Sequence, residues 1–212
     1  MTSITKGVAA HRPQSYSSLE RIAAHVRTRL LPGRSDVEHV PGLELFERLD
    51  QYSVSVRGSS LRLQYGVEDL PSGLEAQAHY SVEEAAIVVV LTEATYEDLR
   101  AGTGRALFTV GHEIGHAVLH PTELVERRLA EVDSRALHRG TVGGHKAFMD
   151  TEWQANGFAA AMLMPATGLV KMEQAGRLDV RTVANTYLVS LQAAELRLKV
   201  FSDRRRELLE HA

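Results

Sequence analysis

The segment LFTVGHEIGHAVLH, residues 107–120, determines how the rest of the chain is interpreted. Its apolar residues recur at helical spacing and Pro121 follows directly, so we predict a helix from Thr103 to His120. Within that helix His112 and His116 stand four positions apart, about 40° around the helix axis. Both imidazoles can therefore converge on one metal ion.

The motif His112-Glu113-Ile114-Gly115-His116 leaves one protein ligand to be found downstream, because a catalytic zinc ion takes three. Glu113 lies about 100° around the helix from His112, where it can accept a proton from a water molecule at the metal. His120 lies about 12 Å along the axis from His112 and cannot join the same tetrahedron. The metzincin motif would require glycine at position 119 and histidine at position 122, and Leu119 and Thr122 exclude it. The candidates for the third ligand are Glu123, Glu126, Glu131, Asp133, His138, His145, Asp150 and Glu152.

Glu152 is the preferred carboxylate because it opens the next predicted helix, which begins at Thr151 and ends at Pro165. Thr151 and Gln154 have the spacing of a capping box at its start. The small residues of this helix, including Ala155 and Ala159, would let it pack closely against the helix that carries the two histidines.

The residues before the motif helix change to a period of two, which is typical of strands. Tyr52–Val56 and Leu61–Tyr65 predict a hairpin, Ala76–Tyr80 a possible strand, and Ile87–Leu91 a strongly β-branched strand. Because the connecting turns are short, we expect a small mixed or antiparallel sheet. The predicted fold class is α+β, with this sheet packed on the motif helix.

The two ends of the chain are interpreted separately from this core. Residues 1–14 are polar and predicted to be flexible, residues 15–165 form the predicted central domain, and residues 166–212 form a C-terminal helical unit. That unit contains a weak helix-turn-helix pattern, in which Asp179–Thr186 is followed by Leu191–Phe201. Glu195 offsets the few basic residues of the second helix, so we interpret the unit as structural and do not expect direct nucleic-acid binding.

The overall composition excludes several classes of protein. The chain has 212 residues, a net charge of −3 and no cysteine, so disulfides, Cys-ligated zinc, Fe–S clusters and thiol nucleophiles are excluded. A pI near 6.4 gives no electrostatic signal for nucleic-acid or membrane binding. The longest aliphatic run, Ala85–Leu91, is too short to span a bilayer, and residues 1–11 show no secretory pattern, which predicts a cytoplasmic protein.

Two blocks of the sequence together resemble the ImmA/IrrE family of zinc metallopeptidases. His112–His120 is similar to the family's HExGH-x-x-LH helix, and Glu152–Pro165 is similar to its second helix, roughly E-x-x-A-N-x-F-A-x-x-L-L-M-P. The resemblance is close from Leu107 to Pro165. It implies a zincin-like metallopeptidase core, with Zn²⁺ as the cofactor.

The same resemblance implies roles for four residues and a kind of substrate. It makes His112, His116 and Glu152 the zinc ligands and Glu113 the catalytic base. Members of the family typically cleave a helix-turn-helix repressor, which relieves transcriptional repression under stress or in mobile-element control. The implied activity is therefore a zinc endopeptidase that acts on a DNA-binding repressor.

Two other functions are alternatives to a zinc endopeptidase. The first is a DNA- or protein-binding regulator with a structural or vestigial metal site, although the intact Glu113 argues against loss of activity. The second is a deformylase-like amidase, which also uses H-E-x-x-H. That class takes a cysteine as its third ligand, and this chain has none.

Overall fold

Helices and one small sheet make up the first half of the described chain. A computed structural model describes residues 8–132 and 146–210. In chain order, the elements up to the motif helix are α1 (Tyr16–Leu30), α2 (Gly42–Glu47), β1 (Ser53–Val56), β2 (Ser59–Val67), β3 (Ala76–Ser81), β4 (Ala86–Leu91), α3 (Glu93–Arg100) and α4 (Gly104–Leu119).

The second half of the described chain is helical. The capping and turn signals of the sequence separate five helices, and short 3₁₀ turns lie at Leu49–Gln51 and Ala147–Met149. The helices are α5 (Pro121–Val132), α6 (Thr151–Leu163), α7 (Ala166–Gln174), α8 (Val180–Tyr187) and α9 (Leu191–Leu208).

The four strands form a mixed sheet in the order β1-β2-β4-β3. β1 pairs with β2 and β3 pairs with β4 in antiparallel fashion, whereas β2 and β4 run parallel. Every residue of β4 is buried, as a continuous apolar run in the middle of a sheet requires. The predicted small mixed sheet and the α+β fold class are confirmed.

Helix α4 carries the histidine motif and lies against β3 and β4. Thr103 caps its first turn by accepting a hydrogen bond from the N–H of Ala106, and Leu107, Val110 and Ile114 are buried. The predicted span was therefore correct to within one residue at each end. Pro121 ends α4 and begins α5, a position where the missing N–H of proline costs nothing.

Helices α4 and α6 approach each other closely through their small residues. A Cβ atom added at Gly115 would lie only 3.0 Å from the Cα of Ala155, and one at Gly111 would lie 3.4 Å from the Cβ of Ala159. The predicted close packing of the two helices is confirmed. This approach brings the first turn of α6 beside the histidines of α4.

The start of α6 differs from the predicted capping box. Asp150 is the N-cap, and its carboxylate accepts a hydrogen bond from the N–H of Trp153. Thr151 is the first helical residue, and Gln154 points into the protein interior. The capping prediction was wrong because Asp150 fills the N-cap position one residue earlier.

Two buried arginines, Arg197 on α9 and Arg27 on α1, bind carbonyls at the end of α6. The Nε of Arg197 on α9 donates to the carbonyl of Met164, and its guanidinium pairs with Glu20 of α1. Arg27 of α1 donates to the carbonyl of Met162. The carbonyls at the end of α6 therefore accept hydrogen bonds from charged side chains of both α1 and α9.

The predicted helix-turn-helix pattern corresponds to α8 and α9, which begin at the N-caps Asp179 and Ser190. Helix α9 continues to Leu208, beyond the predicted end at Phe201. The division at residue 165 stays a prediction. Among the residues described, no helix is both long enough and apolar enough to cross a membrane.

Candidate metal centre

The two motif histidines and Glu152 face one another at the junction of α4 and α6. The Nε2 atoms of His112 and His116 are 3.0 Å apart. One carboxylate oxygen of Glu152 lies 3.3 Å from the Nε2 of His112, and the other lies 3.3 Å from the Nε2 of His116. Among the described residues these three form the one cluster of His, Asp or Glu side chains with metal-binding spacing.

The spacing of these atoms fits a tetrahedral ion. Zinc–nitrogen and zinc–oxygen bonds of about 2.0–2.1 Å place neighbouring ligands of a tetrahedron about 3.3–3.4 Å apart. The observed separations among His112, His116 and Glu152 are 3.0–3.3 Å. Three electron-pair donors at this distance repel one another unless a proton or a cation lies between them. The donor set therefore fits a zinc ion.

The Nδ1 atom of each histidine, on the side of the ring away from the cluster, contacts a neighbouring side chain. The Nδ1 of His112 lies 3.0 Å from the amide oxygen of Asn156, one turn beyond Glu152 on α6. The Nδ1 of His116 lies 3.2 Å from the Nδ1 of His120. Such contacts to the outer nitrogen fix the orientation of an imidazole and direct Nε2 toward the common centre.

The charges of the centre hold Glu152 ionised. The hydrogen bond from His112 and the neighbouring His116 ring hold the pKa of its carboxyl well below the usual range, against the effect of burial. Burial lowers the pKa of His112, but its hydrogen bond to Glu152 and the negative charges of Glu113 and Glu152 together raise it above the ordinary value. Burial lowers the pKa of His120 to about 4. The centre thus combines one carboxylate with neighbouring imidazoles.

Glu113 lies beside the three-residue cluster and outside it. One of its carboxylate oxygens accepts a hydrogen bond of 2.8 Å from the backbone N–H of Ala78 on β3. This contact connects the motif helix to the edge of the sheet. It leaves the other carboxylate oxygen available to a water molecule or substrate.

The remaining candidates for a third ligand have other positions. Glu123 accepts from the backbone N–H of His11, and Glu126 contacts the His11 ring and Arg57. Asp150 caps α6. Asp133, His138 and His145 lie outside the described residues, and so does the side chain of Glu131.

Strand β3 forms an edge of the sheet next to Glu113, whereas β4 is interior. Because Ala78 donates its N–H to Glu113, that N–H points away from β4. The N–H of Tyr80, two residues further on, points the same way. The side chains of β3 alternate, so Tyr80 packs on the core and His79 lies on the opposite face, in a shallow cavity of about 250 Å³.

The sequence did not predict the contacts by which three further side chains surround the centre: Asn156, His120 and Gln154. Asn156 could have been found, because it lies four residues after Glu152 and therefore on the same face of α6. Gln154 was assigned to a cap from its spacing with Thr151, whereas two of its partners, His120 and the carbonyl of Arg12, come from distant parts of the chain.

An H-E-x-x-H helix, a carboxylate from α6 and a sheet edge beside the glutamate together define a metallopeptidase-like protein. The family comparison agrees with this class. Residues 97–199 match the Peptidase_M78 family, described as the IrrE N-terminal-like domain. The match covers just under half of the chain, and it confirms the resemblance to ImmA/IrrE metallopeptidases.

The chain is similar to a solved structure described as a Mycobacterium tuberculosis transcriptional regulator, with 16% sequence identity and a TM-score of 0.44. The match covers 85% of this chain and 46% of that one, so the chain spans less than half the length of this regulator. A comparison with curated proteins found no match.

Proposed function

We propose that this protein is a zinc-dependent endopeptidase that hydrolyses a peptide bond in one specific protein. The observation that carries the proposal is the convergence of His112, His116 and Glu152 at tetrahedral spacing. Two imidazoles and one carboxylate leave the fourth position of zinc open, which is the arrangement of catalytic rather than structural sites. When bound, zinc acts as a Lewis acid toward water and the scissile carbonyl.

Glu113 is the general base of the proposed reaction. Its carboxylate accepts a proton from the attacking water and then donates that proton to the leaving amine. The hydrogen bond from the Ala78 N–H holds one carboxylate oxygen of Glu113, which restricts the side chain to the side of the cluster that faces β3.

The edge of β3 is the proposed binding site for the substrate backbone. An extended peptide that pairs with the outward N–H and C=O groups of β3 would add a strand to the sheet. Since the Ala78 N–H contacts Glu113, a peptide on this edge passes directly beside the general base. The sheet therefore aligns the scissile bond with the metal centre.

The proposed substrate is a DNA-binding transcriptional repressor of the helix-turn-helix class. The match to the IrrE-like family supports this choice. The net charge of −3 is compatible with it, because a mildly acidic enzyme does not repel a basic DNA-binding protein. We expect cleavage at one or a few bonds of a single repressor.

The test is to incubate the zinc-loaded protein with helix-turn-helix repressors encoded near its gene and to identify fragments by mass spectrometry. The Glu113→Gln variant serves as the control, and casein serves as the unspecific substrate. Cleavage of the repressor by wild type alone, with casein intact, is expected. Digestion of casein with the repressor intact would overturn the proposed specificity. Full biological activity of Glu113→Gln would favour a non-proteolytic regulator.

A further inference from the structure

A chain of buried hydrogen bonds runs from His116 away from the metal centre. The Nδ1 of His116 contacts the Nδ1 of His120 at 3.2 Å, and the Nε2 of His120 contacts the Oε1 of Gln154 at 2.9 Å. The amide nitrogen of Gln154 then donates to the carbonyls of Arg12, at 2.9 Å, and Phe148, at 2.8 Å. His120 is 1% exposed and Gln154 is 0% exposed, so water does not replace these partners.

The far end of this chain fixes the direction of every hydrogen bond in it. Backbone carbonyls only accept, so the two hydrogens of the Gln154 amide nitrogen point at Arg12 and Phe148. The amide oxygen consequently faces His120 and accepts from its Nε2–H. A neutral imidazole with its hydrogen on Nε2 has a lone pair on Nδ1. His120 must therefore accept from His116.

We propose that His120 and Gln154 are positioning residues that set the tautomer of His116. Their hydrogen bonds keep the hydrogen of His116 on Nδ1 and leave the lone pair of Nε2 directed at the metal position. This inference rests on the proposed function only in taking His116 as a metal ligand. The carbonyls that accept from Gln154 belong to Arg12, in the segment before α1, and to Phe148, in the turn before α6. Both segments therefore contribute to the orientation of His116.

The two histidines of the centre are held in different ways. The outer partner of His112 is Asn156, whose side chain is exposed to solvent. The outer partner of His116 is the buried His120. The buried Gln154 fixes the position of the hydrogen on His120 by accepting from its Nε2. The contact that favours a hydrogen on the Nδ1 of His116 is thus already in place before metal arrives, and removing the acceptor on His120 should weaken metal binding.

The experiment compares wild type with His120→Leu and His120→Asn. Leucine removes the acceptor, whereas the amide oxygen of asparagine stands near the position of the histidine Nδ1 and can still accept. Nitrogen NMR of the metal-free proteins reports which ring nitrogen of His116 carries hydrogen, and competition with a chelator gives zinc affinity. Thermal unfolding of the metal-free proteins checks that each variant folds.

We expect His116 to carry its hydrogen on Nδ1 in wild type and in His120→Asn, and to lose this preference in His120→Leu. Outer partners of ligating histidines contribute roughly 10- to 100-fold to metal affinity, so His120→Leu should bind zinc weaker by that factor and His120→Asn should recover most of it. Wild-type affinity and tautomer in His120→Leu would overturn the proposal. A hydrogen on the Nε2 of His116 in the metal-free wild type would also overturn the proposal. This second result does not require that His120→Leu folds.

These measurements do not depend on proteolysis. If no peptide is cleaved but the tautomer and zinc affinity respond as expected, the endopeptidase function fails and the positioning role stands. If peptide is cleaved and neither quantity responds, the positioning role fails alone.

Discussion

At the scale of single residues, the site depends on which atom of each side chain faces the centre. His112 and His116 both present Nε2, because their Nδ1 atoms contact Asn156 and His120. Glu152 presents one oxygen to each histidine. Glu113 follows His112 directly on the helix, yet it turns toward β3. Neighbouring residues of α4 thus have separate proposed roles, which are metal binding and proton transfer.

Replacing Glu113 by Gln should separate these two roles. Glutamine keeps the size of the side chain and an oxygen that can accept from the Ala78 N–H, but it does not take up a proton. We expect unchanged zinc content and a kcat lower by roughly a hundredfold or more. Glu97→Gln, on the exposed surface of α3, is the matched control and should leave both quantities unchanged. Loss of zinc in Glu113→Gln would show that Glu113 is a ligand.

At the scale of secondary structure elements, the distance between α4 and α6 sets the geometry of the centre. The two histidines of α4 and the carboxylate of α6 meet because the two helices approach at glycine and alanine positions. Gly115 is one residue before His116 and faces Ala155. A small change in helix separation therefore changes the ligand distances.

Gly115→Ala and Gly111→Ala form a matched pair that tests this distance. Both changes replace a helical glycine by alanine. This replacement by itself stabilises a helix by about 1 kcal/mol. The new methyl group at Gly115 would lie 3.0 Å from the Ala155 backbone, whereas at Gly111 it would lie 3.4 Å from a side-chain methyl. We expect overpacking at Gly115 to cost about 1–3 kcal/mol and to lower zinc affinity, with Gly111→Ala neutral or stabilising.

Urea denaturation and chelator competition measure both effects. Equal stability and equal zinc affinity in the two alanine variants would show that the separation of α4 and α6 is not limiting.

The edge of β3 provides a second test at this scale. Tyr80→Pro removes an outward N–H while sparing the bonds to β4, and Tyr80→Ala removes the same side chain but keeps the N–H. Loss of one substrate hydrogen bond costs about 1 kcal/mol, so kcat/KM for Tyr80→Pro should be lower than for Tyr80→Ala by roughly fivefold to tenfold. Equal kcat/KM values for the two variants would contradict substrate pairing with β3.

Local signals explain which elements could be predicted from the sequence. The span of α4 follows from its apolar spacing, the Thr103 cap and Pro121, all within one segment. The parallel pairing of β2 with β4 is a long-range choice that no local signal specifies. Likewise, the motif predicts how His112 and His116 converge, whereas the environment of Gln154 depends on residues far away in sequence.

At the scale of the whole molecule, α9 packs on α1 and near the end of α6. The ion pair between Arg197 and Glu20 is almost fully buried, with side chains 2% and 10% exposed. Arg197 also donates to the carbonyl of Met164, and Glu20 accepts from the N–H of Ala166. This cluster therefore joins residues on both sides of the predicted division at residue 165.

Replacing Arg197 by Met should destabilise the protein as a whole. The change leaves the Glu20 carboxylate without its cation and the Met164 carbonyl without its donor. Breaking a buried pair in this way costs about 3–5 kcal/mol of unfolding free energy. Lys199→Met, two residues further along α9 and exposed, should change it by less than about 0.5 kcal/mol.

Urea denaturation followed by circular dichroism gives both values. A loss below about 1 kcal/mol for Arg197→Met would contradict the buried-pair interpretation. Two separate unfolding transitions in wild type would instead support an independent C-terminal unit.

Anomalous X-ray scattering at the zinc edge, from crystals of the zinc-loaded protein, tests the proposed metal centre most directly. The account predicts one peak per chain, about 2.0–2.2 Å from the Nε2 of His112, the Nε2 of His116 and a carboxylate oxygen of Glu152. Glu113 and His120 should lie outside bonding distance. A peak bound by either of those residues in place of Glu152, or no peak between the two helices, would contradict the proposed centre and the mechanism built on it.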